Sequence, residues 1–303
     1  MKLHEEEDLP LWRSKIIFPV NVEKYVAKAH TRGADAIVLD LEDSIAPADK
    51  ASARTMVPDA ARQCAVGGAD VLVRINRPLE LAVRDIEAAV SESVAGLVLP
   101  KVDSDSHVRL LSELLDVVEA QKGLPKGHTK FAVLIETAAV FWRMREIAGA
   151  DKRVVAISVG VEDITLETHS RPDPEVLMYP SQQIVFAACA AGILALGVVG
   201  SIANYQDEEG YRKAIRFSRR MGFEGGSCIH PAIVPLLNEG FGYTEQEIGE
   251  AERIVTGFEK AKAEGRGSAT IDGKMIDIPI VARAERVLRI AKRIKARDAA
   301  ARG

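Results

Sequence analysis

The strongest constraint on how this chain folds is an alternation that repeats eight times: a short apolar, β-branched run, then a longer segment with amphipathic helical periodicity. Bounded apolar runs read as buried strands, and strands alternating with helices read as successive βα units. The expected strands are residues 14–19, 34–40, 69–76, 94–100, 130–136, 154–160, 195–200 and 223–230. Helices are expected over 22–31, 50–63, 83–90, 106–119, 141–147, 181–191, 208–221 and 232–238. Eight such units close on themselves, so the fold class is α/β, a (β/α)8 TIM barrel with its active-site loops on one rim.

Beyond the eighth strand, Thr244 opens TEQEIGEAERIVTGFEKAKAEG, where Thr244 and Glu247 have the spacing of a capping box. Gly265 and Gly267 break that helix, residues 268–279 read as an irregular strand or turn region, and helical periodicity resumes over 281–299. The expected domains are a barrel over residues 1–242 and a C-terminal helical extension over 243–303, serving as a lid or crossing a subunit interface, with packing alone as the competing role.

Composition narrows the partners. A net charge of −4 gives no general attraction to polyanions, and the basic stretch with Arg286, Arg289, Lys292, Arg293 and Lys295 reads as a solvated helix face, so no nucleic acid is expected. Cys64, Cys189 and Cys228 are too sparse for a metal cluster or a disulfide framework. No apolar run reaches membrane-spanning length, and the acidic start MKLHEEEDLPLW lacks an apolar signal core; a cytoplasmic protein is expected.

Three strand-end segments, LDLED (39–43), LIE (134–136) and VGVED (159–163), carry clustered carboxylates. Acids gathered at one rim must find a cation or raise their pKa values. Glu136 and Asp163 are the candidate metal pair, with Mg²⁺ favoured by oxygen ligands and Mn²⁺ as the substitute; helix capping or an ion pair is the competing role. Asp40, Glu42 and Asp43 lie too close in sequence to serve equivalently, because alternation sends close neighbours in different directions; some of them are candidates for orienting metal-bound water, with capping of the next turn as the competing role of Asp43. Arg74 presents a planar donor fork for a substrate carboxylate or enolate oxygen, against a buried salt bridge to a strand-end acid. Lys101 and His230 are further candidates for substrate binding, the former as an anion contact and the latter for proton transfer or simply as a turn residue. Neither a nucleophile elbow nor a dinucleotide or P-loop glycine pattern is present.

The set RSKIIFP, GADAIVLDLEDSIAPADKASAR, VLVRIN, GLVLPKV, VLIET, VGVED and GFEGGSCIHP resembles the citrate lyase β-subunit-like group of the HpcH/HpaI aldolase superfamily over residues 14–240. The segment GKMIDIPIV resembles the C-terminal element of its CoA-thioester lyases. The resemblance implies a divalent-metal carbon–carbon lyase with Arg74 on the substrate, Glu136 and Asp163 as ligands, and Asp40 and Asp43 holding the hydrated metal. It also implies a homo-oligomer, trimer or hexamer, in which Asp277 serves as acid or base near a neighbouring subunit's site. The implied substrate is a β-hydroxyacyl-CoA such as malyl-CoA or citramalyl-CoA. Free hydroxy-oxo-acid aldolase activity and a noncatalytic CoA- or acyl-carrier-binding subunit are the alternatives. Asp43 stands where the free pyruvate-aldolase branch carries histidine. ITLETHSRPDP, ALGVVGS and GGSCIHP depart from the group's usual continuations, which bears on CoA recognition and specificity.

Overall fold

The computed structural model describes residues 2–201 and 205–300; Met1, residues 202–204 and the last three residues of the expected extension lie outside the described residues. The chain divides into two compact units, Met1–Phe241 and Gly242–Gly303.

The first unit is built on eight parallel strands: β1 (Ser14–Pro19), β2 (Ala36–Asp40), β3 (Asp70–Arg74), β4 (Gly96–Leu99), β5 (Lys130–Ile135), β6 (Val154–Val159), β7 (Leu194–Ala195) and β8 (Gly226–Cys228). Each pairs with its sequence neighbour from β1 to β7, and β1 also pairs with β8. The remaining seam closes through a bridge between Leu196 and Gly225, where the Gly197 N–H donates to the Gly225 carbonyl at 2.8 Å. Gly225 is required for this closure, because a Cβ there would lie 1.9 Å from the Trp12 carbonyl oxygen.

The seventh strand is shorter than expected. Glycines at 197 and 200 weaken the run, Gly200 adopts φ 140°, and the Val199 N–H donates to Ser218 Oγ at 2.9 Å rather than to a strand neighbour.

Helices α1 (Glu23–Ala29), α2 (Lys50–Ala65), α3 (Leu79–Ala89), α4 (Asp105–Gln121), α5 (Ala138–Phe141), α6 (Met144–Ala148), α7 (Val161–Glu167), α8 (Pro174–Ala191), α9 (Glu208–Met221) and α10 (Val234–Gly240) connect the strands and follow the last. Helix α7 was not anticipated, and α8 begins seven residues ahead of the expected start, with Pro174 at its first turn and left-handed Gly192 ending it.

Alternation along the strands sorts the core into two layers. Ile16, Ile37, Leu39, Val73, Leu97, Phe131 and Ile157 pack in the cluster that includes helix residues such as Val57 and Leu115. Ala36, Val38, Leu72, Val98, Ala132 and Ala156 fill the barrel interior. Leu9 and Trp12, just ahead of β1, join that interior cluster, and the Trp12 indole donates to Asp70 at 2.7 Å.

In the second unit, α11 (Glu245–Ala263) opens on the Thr244–Glu247 capping box. A hairpin of β9 (Ala269–Ile271) and β10 (Lys274–Ile276) then turns through Asp272 and Gly273, both at positive φ, the signature of an Asp-Gly hairpin turn. This is more regular than the turn region the sequence suggested. Helix α12 (Ile278–Ala300) follows, and Phe258, Ala261, Ala269, Ile276 and Val281 form the unit's own core.

Candidate active site

The C-terminal ends of β2 to β6 bring together acids that lie far apart in sequence. Asp40, the last residue of β2, is fully buried and accepts from Arg74 Nε at 2.6 Å and a terminal guanidinium nitrogen at 2.8 Å. Its carboxylate also accepts from the Glu42 N–H at 3.0 Å and from the Ser44 N–H and hydroxyl. Burial works to raise the Asp40 pKa, but these donors, Arg74 foremost, outweigh it and hold the carboxyl below its usual range. Arg74, the end of β3, therefore sits in the buried salt bridge that was the competing reading of its sequence position. Its second terminal nitrogen lies 3.1 Å from Glu42.

Glu42, the middle one of the three neighbouring LDLED acids, is buried and central. Lys101 Nζ donates to one of its oxygens at 2.7 Å, while the other has no hydrogen-bond partner among the described residues. Burial raises its pKa against the pull of Lys101 and Arg74. The signal available was its two-residue spacing from Asp40 at the end of a strand.

Lys101 follows β4 and occupies the left-handed region at φ 47°, a conformation costing a non-glycine residue on the order of 1 kcal/mol. That turn lets its backbone N–H donate to Glu136 at 2.6 Å. Its ammonium meanwhile lies 3.3 Å from Asp43 and 3.7 Å from Asp163. Burial would lower the lysine pKa, but Glu42, Asp43 and Asp163 overcome it and hold the group above its ordinary value.

Glu136, immediately after β5, is buried, and its pKa is pushed up to about 7, first by burial and then by the Asp163 charge. Gly160, between β6 and α7, makes room for it: a Cβ there would fall 2.3 Å from Glu136 Cγ. Asp163 lies in the first turn of α7 and remains partly exposed. Glu136, Asp163 and Arg74 line one chamber of about 170 Å³, together with Ile17, Ser158 and Ser227.

Arg74 and Ile17 also line an adjoining cavity of about 500 Å³, bounded by Phe18, Tyr25, Arg32, Asp40 and His230. His230 Nδ1 accepts from the Ala232 N–H at 3.3 Å, which leaves the proton of the neutral ring on Nε2. The ring stacks on Tyr205 with centroids 4.5 Å apart. Asp277 lies in the second unit at the start of α12, where its side chain accepts from the Ile280 N–H at 3.4 Å.

Five carboxylates (Asp40, Glu42, Asp43, Glu136 and Asp163) thus face two fixed cations, Arg74 and Lys101. Among the described residues, no three His, Cys, Asp or Glu side chains form a ready-made metal cage. The donor set is instead a pair of carboxylates with an excess of negative charge nearby. This suits a hard divalent cation that retains waters or takes oxygen atoms from a bound acid.

A closed (β/α)8 barrel with charged residues gathered beyond several strand ends is the architecture of barrel enzymes, whose chemistry sits at that face. The chain belongs to the HpcH/HpaI aldolase/citrate lyase family, whose model matches residues 13–231. It is 35% identical over 284 residues to citrate lyase subunit beta of Leuconostoc mesenteroides subsp. cremoris, covering 93% of each chain. It is 32% identical over 306 residues to the L-malyl-CoA/beta-methylmalyl-CoA lyase of Rhodobacter capsulatus, covering 93% of this chain and 95% of the relative. Among solved structures, CitE from Mycobacterium tuberculosis in complex with magnesium, acetoacetate and coenzyme A superposes with a TM-score of 0.72. The two are 27% identical, with 92% and 97% of the chains covered.

Proposed function

We propose that this chain is a Mg²⁺-dependent carbon–carbon lyase that cleaves a β-hydroxyacyl-CoA of the malyl-CoA or citramalyl-CoA kind into an oxo acid and an acyl-CoA. The observation that carries the reading is the small chamber shared by Glu136, Asp163 and Arg74, set among carboxylates that outnumber their cations. Kinship with a malyl-CoA lyase and with a protein that binds magnesium and coenzyme A supports the choice of ion and thioester.

Glu136 and Asp163 would hold the cation, with Mn²⁺ able to substitute. When bound, the ion supplies polarisation of the oxygens on the reacting acid. Asp40 positions Arg74 through its bidentate pair, and the guanidinium charge steadies oxygen atoms at the junction of the two cavities. Lys101 holds Glu42 and Asp43 in place, and the exposed Asp43 is the better placed of the two LDLED aspartates to orient water. The larger cavity suits the thioester arm, with Tyr25, Arg32 and His230 Nε2 as its contacts.

In cleavage, a general base takes the hydroxyl proton, the oxygen's freed electron pair forms the oxo acid's carbonyl as the adjoining carbon–carbon bond breaks, and that bond's electron pair passes to the thioester enolate. Asp277, entering the step as the carboxylic acid, then gives its proton to the enolate carbon to yield the acyl-CoA and is left as the carboxylate. In this reading, residues 1–242 are the catalytic domain, and residues 243–303 cap the site of a neighbouring copy in a homo-oligomer, trimer or hexamer. Three free cysteines fit a cytoplasmic setting.

The test is cleavage of malyl-CoA, citramalyl-CoA and free 4-hydroxy-2-oxo acids by the purified protein with Mg²⁺. Thioester cleavage is expected. Cleavage of the free acids alone would replace the reading with an aldolase, and no turnover by folded, metal-binding protein would leave a binding subunit.

A further inference from the structure

Helix α8 carries a single charged residue, Glu175, among its 18, whereas α9, which packs beside it, carries seven among its 14. A helix so poor in charge is ordinarily covered on every side. The inner face of α8 is covered: Leu177, Ile184, Ala188 and Ala191 are buried. Its outer face is not. Val176 is 45% exposed, Tyr179 50% and Phe186 71%. With Gln183 and Ala190 they recur at alternating spacings of three and four, which keeps all five in one stripe along the helix.

Aromatic side chains widen this stripe. Trp142, just past the end of α5, is 76% exposed and its ring centre lies 6.5 Å from that of Tyr179; Phe141 stands 5.0 Å from Trp142 and 5.6 Å from Tyr179. Beside them a cleft of about 350 Å³ runs between α5, α7 and α8, lined by Phe141, Trp142, Ile164, Val176 and Leu177. Trp142, Val176, Tyr179 and Phe186 together offer on the order of 500 Å² of side-chain surface, more than half of the roughly 800 Å² that each partner gives to a standard protein interface. Apolar patches of that extent on soluble chains mark contact surfaces.

The pattern of the patch points to its own copy as the partner. Apart from Glu175, α8 has no charge to match with a charged surface, which favours an apolar face of like kind. The stripe is also close to symmetric about Gln183: Val176 and Ala190 lie seven residues to either side, while Tyr179 and Phe186 lie four before and three after. Two copies of α8 packed antiparallel across a two-fold axis near Gln183 set Tyr179 of each copy beside Phe186 of the other. They also join the two Gln183 amides, each of which is both donor and acceptor. We propose that the face formed by α8 and Trp142 is a two-fold interface with a second copy of this chain. The contact adds no residue to the chamber and does not depend on the lyase reading. With caps arranged about a three-fold axis it makes a hexamer, and without them a dimer.

The experiment is sedimentation equilibrium of the intact protein, which counts the chains in each particle. Wild type is expected to contain an even number. Phe186→Glu, which puts a carboxylate into the contact, is expected to halve the mass. Gln183→Glu and Gln183→Lys are expected to do the same, since each sets like charges against one another at the axis. All variants are first shown to melt cooperatively. Mixing the two Gln183 variants in equal amounts is expected to restore the wild-type mass, a recovery that misfolded protein cannot show. An odd number of chains in wild type, or an unchanged mass in all three variants, overturns the interface. Halving by Phe186→Glu alone, or no recovery on mixing, overturns the two-fold axis at Gln183 and the second-copy arrangement with it.

Discussion

At the residue scale, burial decides how the ionisable groups behave. Asp40 and Glu136 are both buried strand-end acids, yet donors hold the first below its usual range while burial and Asp163 push the second to about 7. Lys15 shows the same principle with opposite charge: burial lowers its pKa from 10.5 to about 8. Between those values the unfolded chain binds more protons at this position than the folded one, so its contribution to stability rises with pH across that window. Below about pH 8 the full penalty is present, and Lys15→Met is expected to stabilise the protein on the order of 3 kcal/mol at pH 7. Urea unfolding of both proteins should show this gap closing as pH rises from 8 towards 10.5; a gap independent of pH would contradict the assignment. The carboxylates were legible from sequence because each closes an apolar run. The Arg74–Asp40 pairing and the place of Glu42 were not, since they depend on which strand ends meet across the barrel.

At the element scale, the junction of β6 with α7 shows where local reading stops. Strands such as Ser14–Pro19 and Val154–Val159 announce themselves by continuous apolar and β-branched residues. Helix α7 starts directly after Gly160 with no intervening turn residues, so VEDITLE, just beyond the expected strand 154–160, carries no separate helix signal although it forms a helix with Asp163 in its first turn. Residues 195–200 err in the other direction, because their valines pack away from the sheet ladder once Leu196 has bridged to Gly225. Gly160 ties this junction to the site. Gly160→Ala is expected to displace Glu136 and abolish the rise in melting temperature that Mg²⁺ gives the wild type, with little loss of helix content by circular dichroism. An unchanged Mg²⁺ response would show that Glu136 does not need that space.

At the scale of the whole molecule, eight βα repeats were enough to read the barrel, whereas no pattern within one chain reports what a second copy contributes. Asp277 caps α12 in its own unit, and the resemblance alone gives it a catalytic part. Coexpressing Asp277→Asn with Glu136→Ala separates these roles. If Asp277 completes a neighbour's site, two inactive parents should form mixed oligomers with about a quarter of wild-type activity under random assembly. Action within one chain would leave the mixture inactive. The central claim, that Glu136 and Asp163 hold the ion on which carbon–carbon cleavage depends, is met most directly by following malyl-CoA and citramalyl-CoA cleavage against Mg²⁺ concentration. Metal-stripped wild type should be inactive and recover on adding Mg²⁺, while Glu136→Ala and Asp163→Ala should lose turnover by about a hundredfold or more at any Mg²⁺ concentration. Turnover that survives chelation, or that persists in both variants, would contradict the account.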